Sequence, residues 1–387
     1  MSRPTVLFLA HTFKGNQAFH AARTAGWEPI LLTSADLLAE PWDRGALSDA
    51  FAVPDLGDRS VVRAVAAHLA SRWPIQRIAT VDDPGVDLAG HLREHLALTG
   101  RTESAARLFR DKLAMRARAA ARGVRVPAFT RLFSDDELRA FIARVSPPWV
   151  LKPRSEASSR GVSKIEDEAA LWDELAKLGD GRGGHLLERF VPGPLFHVDA
   201  VTVGSRVVFA AAHAYQRPLL EVVRTGGMMV TRTVHGDSPL RRRLLDANER
   251  VLEALELGRG VSHTEFLLDE DGELVFVESA ARVGGAHIPE LVEVSTGVNL
   301  WNEYVILELS EEGAPYSLES VRDDPAALLV GLARTERPDH HRIAGPEVAW
   351  RLEAPWQVGV VIRHSDTNEL DRLVRTHQAT FVRELAR

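Results

Sequence analysis

The stretch His263-Thr-Glu265-Phe-Leu-Leu268-Asp-Glu-Asp-Gly272-Glu-Leu-Val-Phe-Val-Glu278-Ser-Ala-Ala-Arg282-Val-Gly284-Gly285 decides how this chain is read. Apolar runs flank Asp269–Gly272, a strong signal for a hairpin turn. Antiparallel pairing of the two runs brings Glu265 close to Glu278. Two hard carboxylate ligands facing each other beside nucleotide phosphates suit Mg²⁺. Two glutamates across a hairpin are more often solvent-facing, but the other face of each strand here is apolar. Arg282 and the Gly284-Gly285 pair follow at once, a cation and a small-residue turn next to the carboxylates.

Three further stations lie upstream in fixed order. Arg110-Asp-Lys112 falls on a helix expected over about 103–121, stopped by Gly123 and followed by Val-Arg-Val-Pro127. Trp149-Val-Leu-Lys152-Pro153 is an apolar strand ending in a lysine, followed by Ser155-Glu-Ala-Ser158-Ser159-Arg-Gly161. A loop of small and hydroxyl residues exposes backbone N–H groups that can wrap phosphate oxygens, while Lys152 adds a point charge. Leu186-Leu-Glu188-Arg-Phe190-Val191-Pro-Gly193 places a carboxylate beside free backbone groups in an apolar strand-to-loop segment. Such a segment suits an adenine edge, with Glu188 accepting from the amino group and the Val191 N–H donating to the ring. Taken singly, a strand-end lysine is more often a solvated edge residue, a loop such as Ser155–Gly161 more often a plain mobile loop, and Glu188 alone could pair with a surface arginine; the ordered combination carries the weight.

Outward from these stations, the first hundred residues alternate strand and helix. Strands are expected at Thr5–Ala10, Glu28–Leu32 and Ile78–Val81, with helices over 16–25 and 60–72, which implies a parallel sheet covered on both faces. The first strand–helix turn, His11-Thr-Phe-Lys-Gly-Asn16, lacks G-x-G-x-x-G, so a Rossmann-like half without its phosphate loop is expected. The middle is mainly β with helices over 167–178 and 238–256. The tail carries strands near 326–333 and 358–363 and a helix over 368–385.

Composition bounds the function. The 387 residues, 45% hydrophobic and 26% charged, suffice for two or three packed subdomains. The absence of cysteine excludes disulfides, cysteine nucleophiles and thiolate metal sites. A net charge of −7 with no dense basic patch argues against nucleic acid as a partner. No run approaches the ~18 apolar residues of a membrane span, and Thr5–Ala10 has strand rather than signal-peptide length, so the expected location is cytoplasmic and away from membranes.

The four stations together resemble the ATP-grasp superfamily of carboxylate–amine ligases, most of all the dipeptide-forming L-amino acid ligases. Ala79-Thr-Val-Asp-Asp83 and the tail segments Gly359-Val-Val-Ile and Ser365-Asp-Thr-Asn-Glu-Leu370 extend the likeness over nearly the whole chain. The resemblance implies an α/β protein with a Rossmann-like N-terminal domain (1–102) and an ATP-grasp fold (103–310). In the latter, two α+β subdomains clasp the nucleotide and the lid covers about 123–190. A small C-terminal α/β subdomain (311–387) follows. It implies ATP and Mg²⁺, with Mn²⁺ as a substitute, and small-molecule carboxylate and amine substrates. By position, Lys112, Lys152 and the loop residues Ser158, Ser159 and Gly161 hold the nucleotide phosphates, and Glu188, Phe190 and Val191 read adenine. His197 approaches the ribose or phosphates, although a packed strand histidine fits it equally. Glu265 and Glu278 are the metal ligands, Glu278 also counted as catalytic. Arg282 binds the transferring phosphoryl group and its adduct, and Gly284, Gly285 and His287 belong to the substrate pocket, near which His213 and Tyr215 also fall. Where the family often has a metal-binding Asn, this chain has Ala280, which cannot coordinate. The readings held beside a ligase are a carboxylase-like or thiol-acylating enzyme and a nucleotide binder that no longer ligates. The helices of the first domain offer a homodimer face, which core packing explains as well.

Overall fold

Thr5-Val-Leu-Phe-Leu-Ala10 is buried along its whole length, as a strand covered on both faces must be. It forms β1 of a parallel sheet with β2 (Glu28–Ser34), β3 (Asp49–Val53) and β4 (Ile75–Thr80), in the order β3-β2-β1-β4. The computed structural model describes residues 3–157, 159–225, 227–318 and 320–385. Because the chain runs from β1 outward through β2 and β3 and then returns to β4, the strand order reverses between β1 and β4. A crevice opens at their carboxyl ends, the place where α/β sheets bind ligands.

The helix expected as one piece over 103–121 is two, Glu103–Arg107 and Lys112–Ala121. The Asp111 carboxylate accepts from the N–H groups of Leu113 and Ala114 and so starts a new helix. Lys112 therefore stands at a helix N-terminus rather than mid-helix. The expected terminal helix likewise ends at Thr380 and continues as a π turn over Phe381–Leu385.

Four short strands, β5 (Phe129–Arg131), β6 (Trp149–Pro153), β7 (Ser163–Ile165) and β8 (His185–Arg189), form a second sheet in the order β5-β8-β6-β7. The third sheet has eight strands: β9 (Leu195–Val203), β10 (Arg206–Tyr215), β11 (Met229–Thr233), β12 (Gly260–Leu268), β13 (Leu274–Ala280), β14 (Ala326–Leu332), β15 (Val348–Ala354) and β16 (Gln357–Arg363). Their order is β13-β12-β9-β10-β11-β14-β16-β15, so the strands of the tail continue the sheet begun by the central segment.

Alternation along β9 sorts its side chains between two cores. Phe196, Val198 and Ala200 pack with helices Lys112–Ala121 and Pro239–Ala254. Val201 packs on the other side with helices Ile288–Thr296 and Leu300–Leu309, and this core runs on into the first sheet through Val6 and Phe8 and into helix Asn16–Thr24 through Phe19. The N-terminal unit is further tied down where the Thr80 N–H donates to the Tyr304 hydroxyl and Arg93 pairs with Glu308 at 2.6 Å. Among the described residues, no helix is long and apolar enough to cross a membrane.

Candidate active site

β12 and β13 pair in the register that sets Glu265 opposite Glu278. Both line a cleft between the second and third sheets, together with Lys112, Lys152, Glu188, Phe190 and Val191. Pro127, Val150, Leu195, Leu267 and Val277 give the cleft an apolar lining that the lysines and glutamates share. Apolar walls beside fixed charges suit a flat ring carrying an anionic tail.

The charged end is a set of buried ion pairs. Lys112 Nζ lies 3.0 Å from Glu278 Oε2 and donates to the Glu156 carbonyl at 2.5 Å. Glu188 sits between two cations, with Lys152 Nζ 2.6 Å from one oxygen and Arg116 Nε 2.6 Å from the other. Burial lowers the Lys152 ammonium from its ordinary 10.5 to about 8, against the pull of Glu188. Burial alone would raise the Glu188 carboxyl, but Arg116 and Lys152 together hold it below the usual range.

This geometry revises several expectations. Both Glu188 oxygens are engaged by cations here, Lys152 on one and Arg116 on the other. The Phe190 N–H donates to the Pro148 carbonyl, while the Val191 N–H has no partner among the described residues. Ser159 lines the cleft in a left-handed backbone conformation; Gly161 closes the same turn but does not line the cleft, and Ser158 lies outside the described residues. His197 is fully buried and does not line the cleft: it is bonded to Asp199 at 2.7 Å and Thr231 at 2.9 Å, the packed strand histidine of the two readings. His287 starts helix Ile288–Thr296, its ring against Trp350 and its Nδ1 3.7 Å from Glu290.

Arg282 belongs to a second constellation, at the crevice between β1 and β4. It donates to Asp83 at 2.6 Å and to the Val283 carbonyl at 2.6 Å, and its Nε has no partner among the described residues. Burial would raise the Asp83 carboxyl, yet the Arg282 guanidinium keeps it ionised well below the carboxylate range. Lys14 stands at the same place, lowered to about 8 by burial and by Arg282. The neighbouring Asp82 carboxylate accepts from the N–H groups of His11 at 2.5 Å and Thr12 at 2.9 Å. Those are the donors that would cradle a phosphate in a dinucleotide-binding turn, so the protein's own carboxylate fills the nest. Gly284 crosses close behind: a Cβ there would come within 2.9 Å of Asp199 Oδ1 and 3.1 Å of Ile288.

A model of the ATP-grasp domain matches residues 117–287, which hold β5 to β13 and both metal-binding glutamate candidates. The chain carries an ATP-grasp domain. Over the whole chain and 99% of the other, the fold is similar to L-amino acid ligase from Bacillus licheniformis, with a TM-score of 0.79 at 18% identity. It is similar at a TM-score of 0.75 and 14% identity to a carboxyaminoimidazole ribonucleotide synthase complexed with ATP from Aspergillus clavatus. In sequence it is 21% identical over 258 residues to the L-arginine-specific L-amino acid ligase of Bacillus subtilis, across 65% of this chain and 62% of that protein. It is 26% identical over 222 residues to the alanine–anticapsin ligase of Bacillus subtilis strain 168, across 52% of this chain and 47% of that one. The chain thus spans somewhat under two thirds of the first of these ligases and about half of the second. The ATP-grasp fold behind a Rossmann-like unit, expected from the sequence, is the fold observed.

Residues given no site role in the sequence reading are Arg116, Lys14, Asp82 and Asp83, the last two although the stretch that holds them was part of the resemblance. Arg116 lies four residues after Lys112 on one helix, hence on the same face, and that spacing was a legible signal. Lys14 and Asp83 reach Arg282 only through the packing of the first sheet against the third.

Proposed function

We propose that the protein is an ATP-dependent, ADP-forming ligase that activates a small carboxylate, such as an amino acid, as an acyl-phosphate and joins it to an amine. The observation that carries this reading is the Glu265–Glu278 pair, with Lys112 on Glu278 and Arg282 four residues further on. In this reading the apolar lining of the cleft takes the adenine ring and the Val191 N–H donates to it. Lys112 and Lys152 exchange their carboxylate partners for phosphate oxygens.

The residues fit a magnesium ion: two opposed carboxylates, one of them paired with Lys112, are hard oxygen donors. Glu265 and Glu278 would hold the ion, Ala280 would not, and the bound ion would supply charge neutralisation at the phosphates.

The chain's own groups do the rest by position and charge. The lysines draw negative charge off the γ-phosphate as a substrate carboxylate oxygen attacks it, and ADP leaves. Arg282, held in place by Asp83, faces the acyl-phosphate and the oxyanion that forms when the amine attacks its carbonyl carbon. Phosphate then departs with the C–O bond, and the amine loses its proton. Closure of the loop around Ser159 keeps water from the acyl-phosphate. No protein nucleophile is needed. The test is phosphate release from Mg-ATP against paired amino acids and small carboxylates, with mass spectrometry of the products. Release that requires two substrates and yields their condensation product supports the ligase, and release that never depends on an amine overturns it.

A further inference from the structure

A buried row of polar groups beside the cleft has no part in the ligase reading, although one end of it touches Glu265. His263 lies two residues before Glu265 on β12, hence on the same face, and Asp199 of β9 stands opposite it in the ladder. Asp199 Oδ1 is 2.9 Å from His263 Nδ1, and the other ring nitrogen of His263 is 3.6 Å from Glu265 Oε1. The Tyr215 hydroxyl, from β10, donates to the same Glu265 oxygen at 3.3 Å. Among the described residues, Glu265 Oε2 makes no such contact. Asp199 is itself fixed: its Oδ2 is 2.7 Å from His197 Nδ1, and His197 Nε2 is 2.9 Å from Thr231 Oγ1.

A carboxylate accepts hydrogen bonds and donates none, so the His263 nitrogen that meets Asp199 carries a proton. The nitrogen turned to Glu265 faces a second carboxylate, and only an N–H complements it. At 3.6 Å that contact is an ion pair rather than a full hydrogen bond, so it aims the carboxylate by charge. The Asp199 charge balances the imidazolium, and the chain Asp199–His263–Glu265 keeps one net negative charge for a cation. A glutamate side chain gives up about 1.5–2 kcal/mol of rotamer entropy when it is fixed. Glu265, held at Oε1 from two strands, has lost that freedom before a ligand arrives.

We propose that Tyr215 and the Asp199–His263 pair are positioning residues for Glu265, holding one carboxylate oxygen so that the other meets the divalent cation. This rests on the ligase reading of the Glu265–Glu278 pair. None of the three lines the cleft, so each acts through Glu265. Partners behind a ligating carboxylate set its direction, and losing one lowers metal affinity by roughly 10–100-fold.

The test is Mn²⁺ binding to the protein–ADP complex, read from the electron paramagnetic resonance signal of free Mn²⁺, with ADP binding measured separately without metal. His263→Asn keeps an amide beside Asp199 and removes the donor facing Glu265, whereas His263→Gln places an amide nitrogen where Nε2 stood. His263→Asn should weaken Mn²⁺ by roughly 10–100-fold with ADP binding unchanged, and His263→Gln should restore much of that loss. A merely structural pair would give the reverse order, because only His263→Asn still satisfies Asp199. Where His263→Asn does not fold, Tyr215→Phe decides, and it should weaken Mn²⁺ while its thermal melt shows a folded protein. A folded His263→Asn or Tyr215→Phe with wild-type Mn²⁺ affinity overturns the proposal. Glu278→Gln separates this from the reading beneath it. If that variant loses Mn²⁺ while His263→Asn keeps it, the glutamate pair stands and only the positioning role falls. If Glu278→Gln binds Mn²⁺ as the wild type does, both fall.

Discussion

The nucleotide cleft and the crevice around Arg282 are both lined by buried ion pairs, but they are assembled differently. In the cleft, Lys152, Glu188, Glu265 and Glu278 sit on strands within the residues matched to the ATP-grasp domain, and Lys112 starts the helix that leads into them. Their partners come from a neighbouring strand or helix, as with Lys152 and Glu188 on paired strands β6 and β8. In the crevice, Arg282 meets Asp83 across 199 residues of chain, from a separate sheet. A cleft of this kind is a property of one domain. The crevice exists only while the N-terminal unit stays packed on the sheet, so on the proposed function the part Arg282 plays toward the substrate would depend on that packing.

The largest effect that sharpens this contrast is expected from Glu278→Gln. Substituting a carboxylate that faces developing phosphate charge should lower ligase turnover by roughly 10²–10³-fold or more with the fold intact, read as phosphate release beside a thermal melt. Glu188→Ala should act on stability instead. It leaves Arg116 and Lys152 as buried, uncompensated cations, at a cost of about 3–5 kcal/mol in denaturant unfolding. A loss much below 1 kcal/mol would show that water reaches the triad.

Asp83→Asn should behave as a crevice substitution: roughly a tenfold rise in KM for the carboxylate substrate, about 1.4 kcal/mol, as Arg282 loses its anchor, with KM for ATP little changed. Equal rises in both constants would break the division between the two regions. The smallest effect is in pH. Lys152 gives up its proton as pH rises through about 8 in the folded protein, where an unfolded chain would keep it to 10.5. Its attraction for phosphate should fade above pH 8, raising KM for ATP by up to about tenfold per unit, and Lys152→Arg should flatten that limb. Between pH 8 and 10.5 the unfolded state binds more protons at this site, so this group's contribution to stability rises with pH.

Much of the cleft could be read from sequence because its residues sit on strands with clear two-residue alternation and a strong turn at Asp269–Gly272, which set Glu265 against Glu278 by register. The parts that could not be read are those where several partners compete for one group. Glu188 stood beside a loop suited to adenine, and nothing in the local pattern pointed to the ion pairs it makes with Arg116 and Lys152. His197 shares a sheet face with Glu265, yet Asp199 and Thr231 take both its ring nitrogens. The break at Asp111 was hidden in an alanine-rich run of high helix propensity, where a single cap outweighed the propensity of its neighbours.

What the amino-acid order alone determined is local: the strand and helix succession, the hairpin that opposes two glutamates, the lysines at element ends, and through these the ATP-grasp domain. The tertiary structure alone decided which charges meet over long distances. Asp83 and Lys14 converge on Arg282, Asp82 fills the turn that would otherwise cradle a phosphate, and the tail's strands join the central sheet. Periodicity specifies the direction in which a side chain leaves its own strand or helix. Its partner depends on how sheets pack, and that is set by the summed burial of apolar faces from segments hundreds of residues apart.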